Sequence, residues 1–207
     1  MKGGIIRNVQ IVTPGEEIRP GAIQFAEDGR IAGAGDPEDS GEVLWDGEGV
    51  LFAFPGFIDI HTHGAAGRDT SHATHEAIET MAEAKLKEGV TTFLPTTWTA
   101  SREHLRDMAK AAAAYRENQR FARAPFLHIE GPYLNPAQAG AQDPSHMRAP
   151  DIEEIRAIDE ICPVKLVSLA VELDGAIEFM SEMKKRGIVT SAAHSAANYS
   201  EFRAARR

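Results

Sequence analysis

The sequence has little cysteine, little positive charge and no long apolar run. Cys162 is the only cysteine among 207 residues, so an internal disulfide is excluded, and we expect this residue to be a small buried apolar one. The most apolar stretch, residues 50–60, is interrupted by Pro55 and Gly56 and is too short to span a bilayer. The first residues also lack the apolar segment of a signal peptide. These features predict a cytoplasmic protein with no membrane partner.

The shortage of basic residues limits the class of partner. The chain has 22 Lys and Arg residues against 31 Asp and Glu residues, and its formal net charge is -9. A nucleic-acid surface normally carries a basic stripe, so no nucleic-acid partner is expected. An anionic small molecule remains compatible, because a few basic residues inside a site can bind it. The overall composition is typical of a globular domain.

Residues 1–54 are rich in strand and turn signals. Residues 5–12 are mostly β-branched or apolar, and residues 22–25 and 30–32 flank the turn sequence Glu27-Asp28-Gly29. Glycine in such a turn can adopt the positive φ that a hairpin requires. Because no helical periodicity is present, we predict a small β unit, a portion of a β-sandwich, over residues 1–54.

From Phe57 onward the pattern alternates between strands and helices. Helices are predicted to begin near Thr74, Ser101, Asp151 and Asn198, and a further one carries Ile177, Met180 and Met183 on one face. The predicted strands between them cover residues 57–61, 91–95, 126–130, 164–170 and 188–193. Such alternation predicts an α/β fold with a parallel sheet and right-handed crossovers.

Two architectures fit this alternation, a doubly wound sheet and a (β/α)8 barrel. No glycine-rich phosphate loop follows the first strand; His61-Thr62-His63-Gly64 follows it instead, which favours a barrel with metal ligands at its mouth. A complete barrel needs about 250 residues. We therefore predict that residues 55–207 are a truncated barrel of about five βα units.

Histidines and a carboxylate end three of the predicted strands. Side chains two residues apart share a strand face, so His61 and His63 can hold one cation together. Glu130 ends the third strand, where a carboxylate directed inward needs a partner or a metal. His194 ends the fifth strand, after three small residues. Imidazole and carboxylate ligands together suit zinc or a similar divalent ion.

The long irregular loop over residues 133–150 is the other candidate functional element. Loops of this kind on the catalytic side of a barrel are usually functional. Gly140-Ala141-Gln142 could present backbone and amide groups to a polar ligand, and the alternative is a structural turn at Gly140.

Several motifs together resemble the N-acetylglucosamine-6-phosphate deacetylases of the amidohydrolase superfamily. The resemblance covers nearly the whole chain, and its most specific part is His128-Ile129-Glu130-Gly131-Pro132 followed by a Gly-Ala loop. The matching segments are residues 55–64, 91–96, 128–135, 139–141 and 193–195. One departure is Val171, where the family often has proline.

The resemblance implies a (β/α)8 barrel plus a small β-sandwich built from both chain ends. It implies that Glu130 and His194 bind the main metal and that His61 and His63 serve a second one, so one or two divalent ions, with zinc as the expected ion, are implied. Ala141 and Gln142 would contact the sugar. The third metal-binding histidine, the catalytic Asp and the phosphate-binding residues are expected beyond residue 207, so no catalytic residue is assigned within the chain. A homo-oligomer is expected for the full-length protein.

The implied reaction is hydrolysis of the acetamide of N-acetylglucosamine 6-phosphate to glucosamine 6-phosphate and acetate. These 207 residues alone are expected to be an inactive piece of that enzyme. Two alternatives remain open at this stage. One is another amidohydrolase, dihydroorotase-like or deaminase-like; such enzymes also open with His-x-His but usually use Lys or His at the later strands. The other is an inactive, metal-free folding or binding unit.

Overall fold

The computed structural model describes residues 3–13, 15, 18–36 and 41–205. The chain divides into two compact units, Met1–Gly56 and Phe57–Arg207.

The first unit is a four-stranded sheet. The strands are β1 (Gly4–Ile11), β2 (Arg19–Phe25), β3 (Ile31–Gly35) and β4 (Glu42–Ala53). Their order in the sheet is β3-β2-β1-β4; β2 is antiparallel to β1 and β3, and β4 is parallel to β1. The predicted hairpin between β2 and β3 is confirmed, and Gly29 has a φ of 80° in its turn. Ile5, Val9 and Ile11 of β1 are buried.

The second unit alternates parallel strands with helices, so the predicted α/β class is confirmed. The strands are β5 (Phe57–Thr62), β6 (Gly64–Ala65), β7 (Arg68–Asp69), β8 (Val90–Pro95), β9 (Leu127–Glu130), β10 (Val164–Leu169) and β11 (Val189–Ala192). β5 pairs with β8, and β10 lies between β9 and β11, all in parallel register. A parallel bridge connects Thr96, directly after β8, to His128 of β9. The helices are α1 (His75–Lys87), α2 (Arg102–Glu117), α3 (Ile152–Asp159), α4 (Ala176–Lys185) and α5 (Tyr199–Ala205).

Three of the helices begin at the capping residues that the sequence predicts. Thr74 caps α1, Ser101 caps α2 and Asp151 caps α3, and each side chain accepts a hydrogen bond from a backbone amide in the first turn. Caps of this type stabilise a helix by about 1 kcal/mol each. They fix where each helix begins relative to the preceding strand and loop.

The buried face of α4 differs from the prediction. Ala176, Phe179 and Met183 are buried, whereas Ile177 is 51% exposed. Residues 176, 179 and 183 follow the spacing of one helical stripe, and Ile177 lies about 100° away from Ala176 around the helix. Of the three residues that mark this helix in the sequence, Met183 is buried and Met180 packs against the core, whereas Ile177 lies outside the buried stripe.

The core of the second unit consists of two apolar clusters. One lies among β8, α1 and α2 and includes Ile78, Met81 and Phe93. The other packs α2, α3 and α4 against β9 and β10 and contains Leu127, Val167 and Cys162. Within the described part of the chain, no helix combines the length and the apolar character that crossing a membrane requires.

The thiol of Cys162 is expected to be unreactive in the folded protein. Cys162 is buried, as the sequence predicts, and burial raises the pKa of its thiol to about 11. With that pKa, only about 0.1% of the thiol is present at pH 8 as the thiolate, which is the reactive form. A chromogenic disulfide reagent should react slowly with native protein and should titrate one thiol at once in denaturant. Rapid labelling of native protein at pH 8 would contradict this burial.

Candidate metal centre

The carboxyl ends of three strands bring four side chains together. His61 lies near the end of β5 and His63 follows that strand, Glu130 is the last residue of β9, and His194 follows β11 by two residues. Parallel strands present their carboxyl ends at one edge of a sheet, which is why residues far apart in sequence meet there. Gly131 allows the chain to turn away at once: its φ is 71°, and a Cβ atom at this position would collide with Thr99.

The three histidines converge on the Glu130 carboxylate. The Nε2 atom of His63 lies 2.8 Å from Oε2 of Glu130. On the other oxygen, Oε1, the Nε2 atoms of His194 and His61 lie 3.6 Å and 4.0 Å away. One potential ligand atom each of His61, His63 and Glu130 lies within 4.8 Å of the others.

Two of the imidazoles are held in the orientation that metal ligands adopt. The Nδ1 atom of His63 lies 3.2 Å from the Thr96 carbonyl oxygen, and Nδ1 of His194 lies 2.8 Å from the Gln138 carbonyl oxygen. Both carbonyls can only accept, so Nδ1 carries the proton. With a cation bound, each ring would be neutral and its Nε2 lone pair would be directed at the ion beside the carboxylate. Without one, the 2.8 Å contact between His63 and the ionised Glu130 is a hydrogen bond and needs a second proton, on Nε2. A metal-binding histidine typically donates its other ring N–H to a carbonyl in this way.

The donor set fits a divalent ion. Ligand atoms that share a tetrahedral ion at about 2.1 Å lie about 3.4 Å apart. The separations of 3.6 and 4.0 Å from Glu130 to His194 and His61 are near that value. The 2.8 Å separation of His63 from Glu130 is shorter and is a direct hydrogen-bond distance that a shared ion would lengthen. His194 lies outside the group of three whose ligand atoms are all within 4.8 Å of one another. Three imidazoles and one carboxylate are also the ligand types that zinc prefers.

Glu130 is only 5% exposed and is ionised in this environment. Burial acts to raise its pKa, but the hydrogen bond with His63 and the charges of His61, His63 and His194 hold the pKa below its usual value. A buried carboxylate in the anionic form attracts a cation, and the site therefore has the charge needed to hold one.

Gln142 lies inside the site rather than on its surface. Its Nε2 donates to Oε2 of Glu130 at 2.8 Å, and its Oε1 accepts from the Thr99 amide at 2.7 Å. The side chain is buried, whereas the neighbouring Ala141 is exposed on the loop. Gln142 thus anchors the long loop to Glu130. Contact of Ala141 and Gln142 with a sugar stays a prediction.

Two aromatic residues outside the predicted ligand set, Trp98 and His128, lie against the site. Trp98 stacks on His63 with ring centroids 3.9 Å apart and donates from its indole to Asp69 at 2.7 Å. His128 lies between Ile60 and Ser168, and burial lowers its pKa to about 4, so it is neutral. A position close to the end of its strand is the signal that could have pointed to each of them.

Asp59 has a different role from the histidines that follow it. Although it has the same strand parity as His61 and His63, it forms an ion pair with Lys85 of α1 at 3.2 Å. The pair connects β5 to the helix that follows it.

The fold and the donor set define an α/β protein with a candidate metal centre at the ends of its parallel strands. Comparison with known families gives a match to the amidohydrolase family over residues 52–205. The chain belongs to the amidohydrolase family.

Within this family, the chain is similar to sugar-phosphate deacetylases. The chain is 31% identical to the N-acetylglucosamine-6-phosphate deacetylase of Bacillus subtilis (strain 168), over 94% of this chain and 51% of the relative. It is 33% identical to the N-acetylgalactosamine-6-phosphate deacetylase of Escherichia coli O157:H7, over 73% of this chain and 41% of the relative. The chain thus spans about half the length of the curated relatives it matches.

The chain is also similar to a solved deacetylase structure. The N-acetyl-D-glucosamine-6-phosphate deacetylase of Mycobacterium smegmatis, solved as a mutant in complex with N-acetyl-D-glucosamine-6-phosphate, is 29% identical to this chain. The TM-score is 0.83, and the match covers 99% of this chain and 53% of that structure.

Replacing Gln142 by methionine should destabilise the protein even without metal. The change leaves the buried Thr99 amide without its acceptor and removes a donor from Glu130, which should lower the free energy of unfolding by about 1–3 kcal/mol. Gln138 has an exposed side chain, so Gln138→Met, the matched control, should change it by less than about 0.5 kcal/mol. Urea denaturation of chelator-treated protein measures both. Equal effects of the two substitutions would show that Gln142 does not hold the site together.

Proposed function

We propose that this chain supplies the metal-binding half of an N-acetylglucosamine-6-phosphate deacetylase. The reaction would be hydrolysis of the acetamide to glucosamine 6-phosphate and acetate. The relatives from Bacillus subtilis and Mycobacterium smegmatis support this assignment by their similarity over nearly all of the chain. An amino-sugar phosphate is also compatible with the net-acidic chain, because the groups that bind the phosphate are expected outside residues 1–207.

One observation carries the proposal: two histidines have their Nδ1 atoms held by backbone carbonyls and their Nε2 atoms directed at a buried carboxylate. We infer that His61, His63, Glu130 and His194 are metal ligands. One or two divalent ions, with zinc as the ion best suited to the donors, would be held here.

The residues of the chain would prepare the site for amide hydrolysis. A bound divalent ion supplies Lewis acidity, which lowers the pKa of water and polarises an amide carbonyl. Glu130 provides the negative charge that retains the cation, and Gln142 keeps its carboxylate oriented by hydrogen bonding. Trp98 covers one face of His63 and restricts the rotation of that ring.

We also propose a domain organisation. Residues 1–54 would be a portion of a β-sandwich, and residues 55–207 would be about five βα units of a (β/α)8 barrel. The all-β first unit and the consecutive parallel strands of the second support this view. A cytoplasmic homo-oligomer is the form in which we expect the full-length protein to act.

Two other functions would use the same site. A dihydroorotase-like or deaminase-like amidohydrolase is less well supported, because Glu130 occupies the position where those enzymes usually have Lys or His. Activity on the N-acetylgalactosamine epimer is favoured by the Escherichia coli relative. Assaying both epimers beside dihydroorotate distinguishes the two deacetylase activities from a dihydroorotase-like one, and ammonia release would indicate a deaminase-like one.

In the full-length natural protein, Glu130→Gln should remove most deacetylase activity and lower the metal content. The substitution keeps the size of the side chain but removes its charge, and a neutral amide oxygen is a poorer ligand for a divalent cation. His61→Ala should have a smaller effect, because His61 is the most distant of the three histidines from Glu130 and would serve a second ion. Metal stoichiometry by mass spectrometry and acetate release measure the two effects.

Glu182→Gln is a suitable control, because Glu182 lies on α4 and pairs only with Lys185 and Arg186 in the described contacts. It should keep wild-type activity and metal. Full metal occupancy and normal turnover in Glu130→Gln would refute the role of Glu130. Loss of all metal in His61→Ala would show instead that the His-x-His pair holds the main ion.

A further inference from the structure

The carboxylate of Glu172 connects the loops that follow three different strands. Glu172 itself follows β10. Its Oε1 accepts from the Asn135 side chain, after β9, at 2.9 Å and from the Ala196 amide, after β11, at 2.6 Å. Its Oε2 accepts from the Ser195 hydroxyl at 2.5 Å. Both oxygens are therefore used, and two of the three donors come from the residues directly after His194.

The backbone at His194 needs such support. Its φ is 46°, in the left-handed region that residues other than glycine rarely adopt. Such a conformation persists only where surrounding contacts hold it. The His194 carbonyl accepts from the Asn135 amide at 3.1 Å, so Asn135 binds His194 through its backbone and Glu172 through its side chain.

We propose that Glu172 is a positioning residue for His194. By fixing Ser195 and Ala196, it holds the left-handed turn that directs Nε2 of His194 toward Glu130, 3.6 Å away. This inference rests on the proposed function in one respect, since it takes His194 to be a metal ligand. Glu172 does not touch the ion or the substrate in this scheme.

An ionised carboxylate is needed for this role. Burial acts to raise the pKa of Glu172, but the hydrogen bonds from Ser195, Asn135 and Ala196 hold it below its usual value. A glutamine would offer one acceptor oxygen and would direct an NH2 group at one set of donors. Glu172→Gln thus keeps the size of the side chain but cannot accept hydrogen bonds from all three donors.

The test compares zinc affinity among variants of the full-length protein, measured by competition with a chromophoric chelator. Glu172→Gln should weaken zinc binding about tenfold or more, as is typical when a residue supporting a ligand is replaced. Ser195→Ala, which removes one donor, should weaken it less. Ile158→Val is the stability control: Ile158 is buried in α3, so its replacement should lower the thermal unfolding midpoint and leave zinc affinity unchanged.

Hydrogen exchange of the Ala196 amide in chelator-treated protein gives a readout that needs no metal. Exchange should accelerate in Glu172→Gln and not in Ile158→Val. Unchanged zinc affinity in Glu172→Gln would overturn the inference. So would an equal loss of zinc affinity in Glu172→Gln and Ile158→Val. The proposed function fails separately, if zinc-loaded wild-type protein releases no acetate. Wild-type protein that takes up no zinc would overturn both.

Discussion

The second unit is organised around one buried negative charge. Glu130 ends β9 at 5% exposure, where an uncompensated carboxylate would be strongly unfavourable. Three imidazoles and one amide surround it: two imidazoles come from the end of β5, one from the turn after β11, and the amide from the loop after β9. Removing the charge would leave these groups without the partner that they face, so the geometry of several loops depends on it.

Backbone groups of the loops fix the candidate ligands. Carbonyls of Thr96 and Gln138 hold His63 and His194, and Gln142 connects the long loop to Glu130. Further from the site, Glu154 accepts from Tyr133 and Arg148, which fastens both ends of that loop to α3. The positions of the candidate ligands are thus determined by contacts between loops as well as by the strands that precede them.

Much of the fold could be predicted from the sequence because its signals are local. Capping residues such as Thr74 and Asp151 mark helix starts, and the turn at Gly29 marks a hairpin. The interactions that form these caps and this turn connect residues only a few positions apart in the sequence. Which stripe of α4 faces the core could not be predicted in this way, because it depends on neighbours that are distant in sequence.

The candidate site, too, could be predicted from the sequence only in part. His61, His63, Glu130 and His194 could be selected because each follows a strand signal. The contacts that orient them could not, since they depend on the three-dimensional path of the loops. Glu154 illustrates this point: its spacing from Asp151 suggests a reciprocal helix cap, but its carboxylate bonds Tyr133 and Arg148.

We expect these four side chains to surround a divalent cation. The decisive measurement is anomalous scattering at the zinc edge, from crystals of the full-length protein grown with zinc. A peak should lie about 2.0–2.2 Å from a Glu130 oxygen and from Nε2 of at least two of the three histidines. A map without a peak between them, with His63 still bonded directly to Glu130, would contradict this expectation.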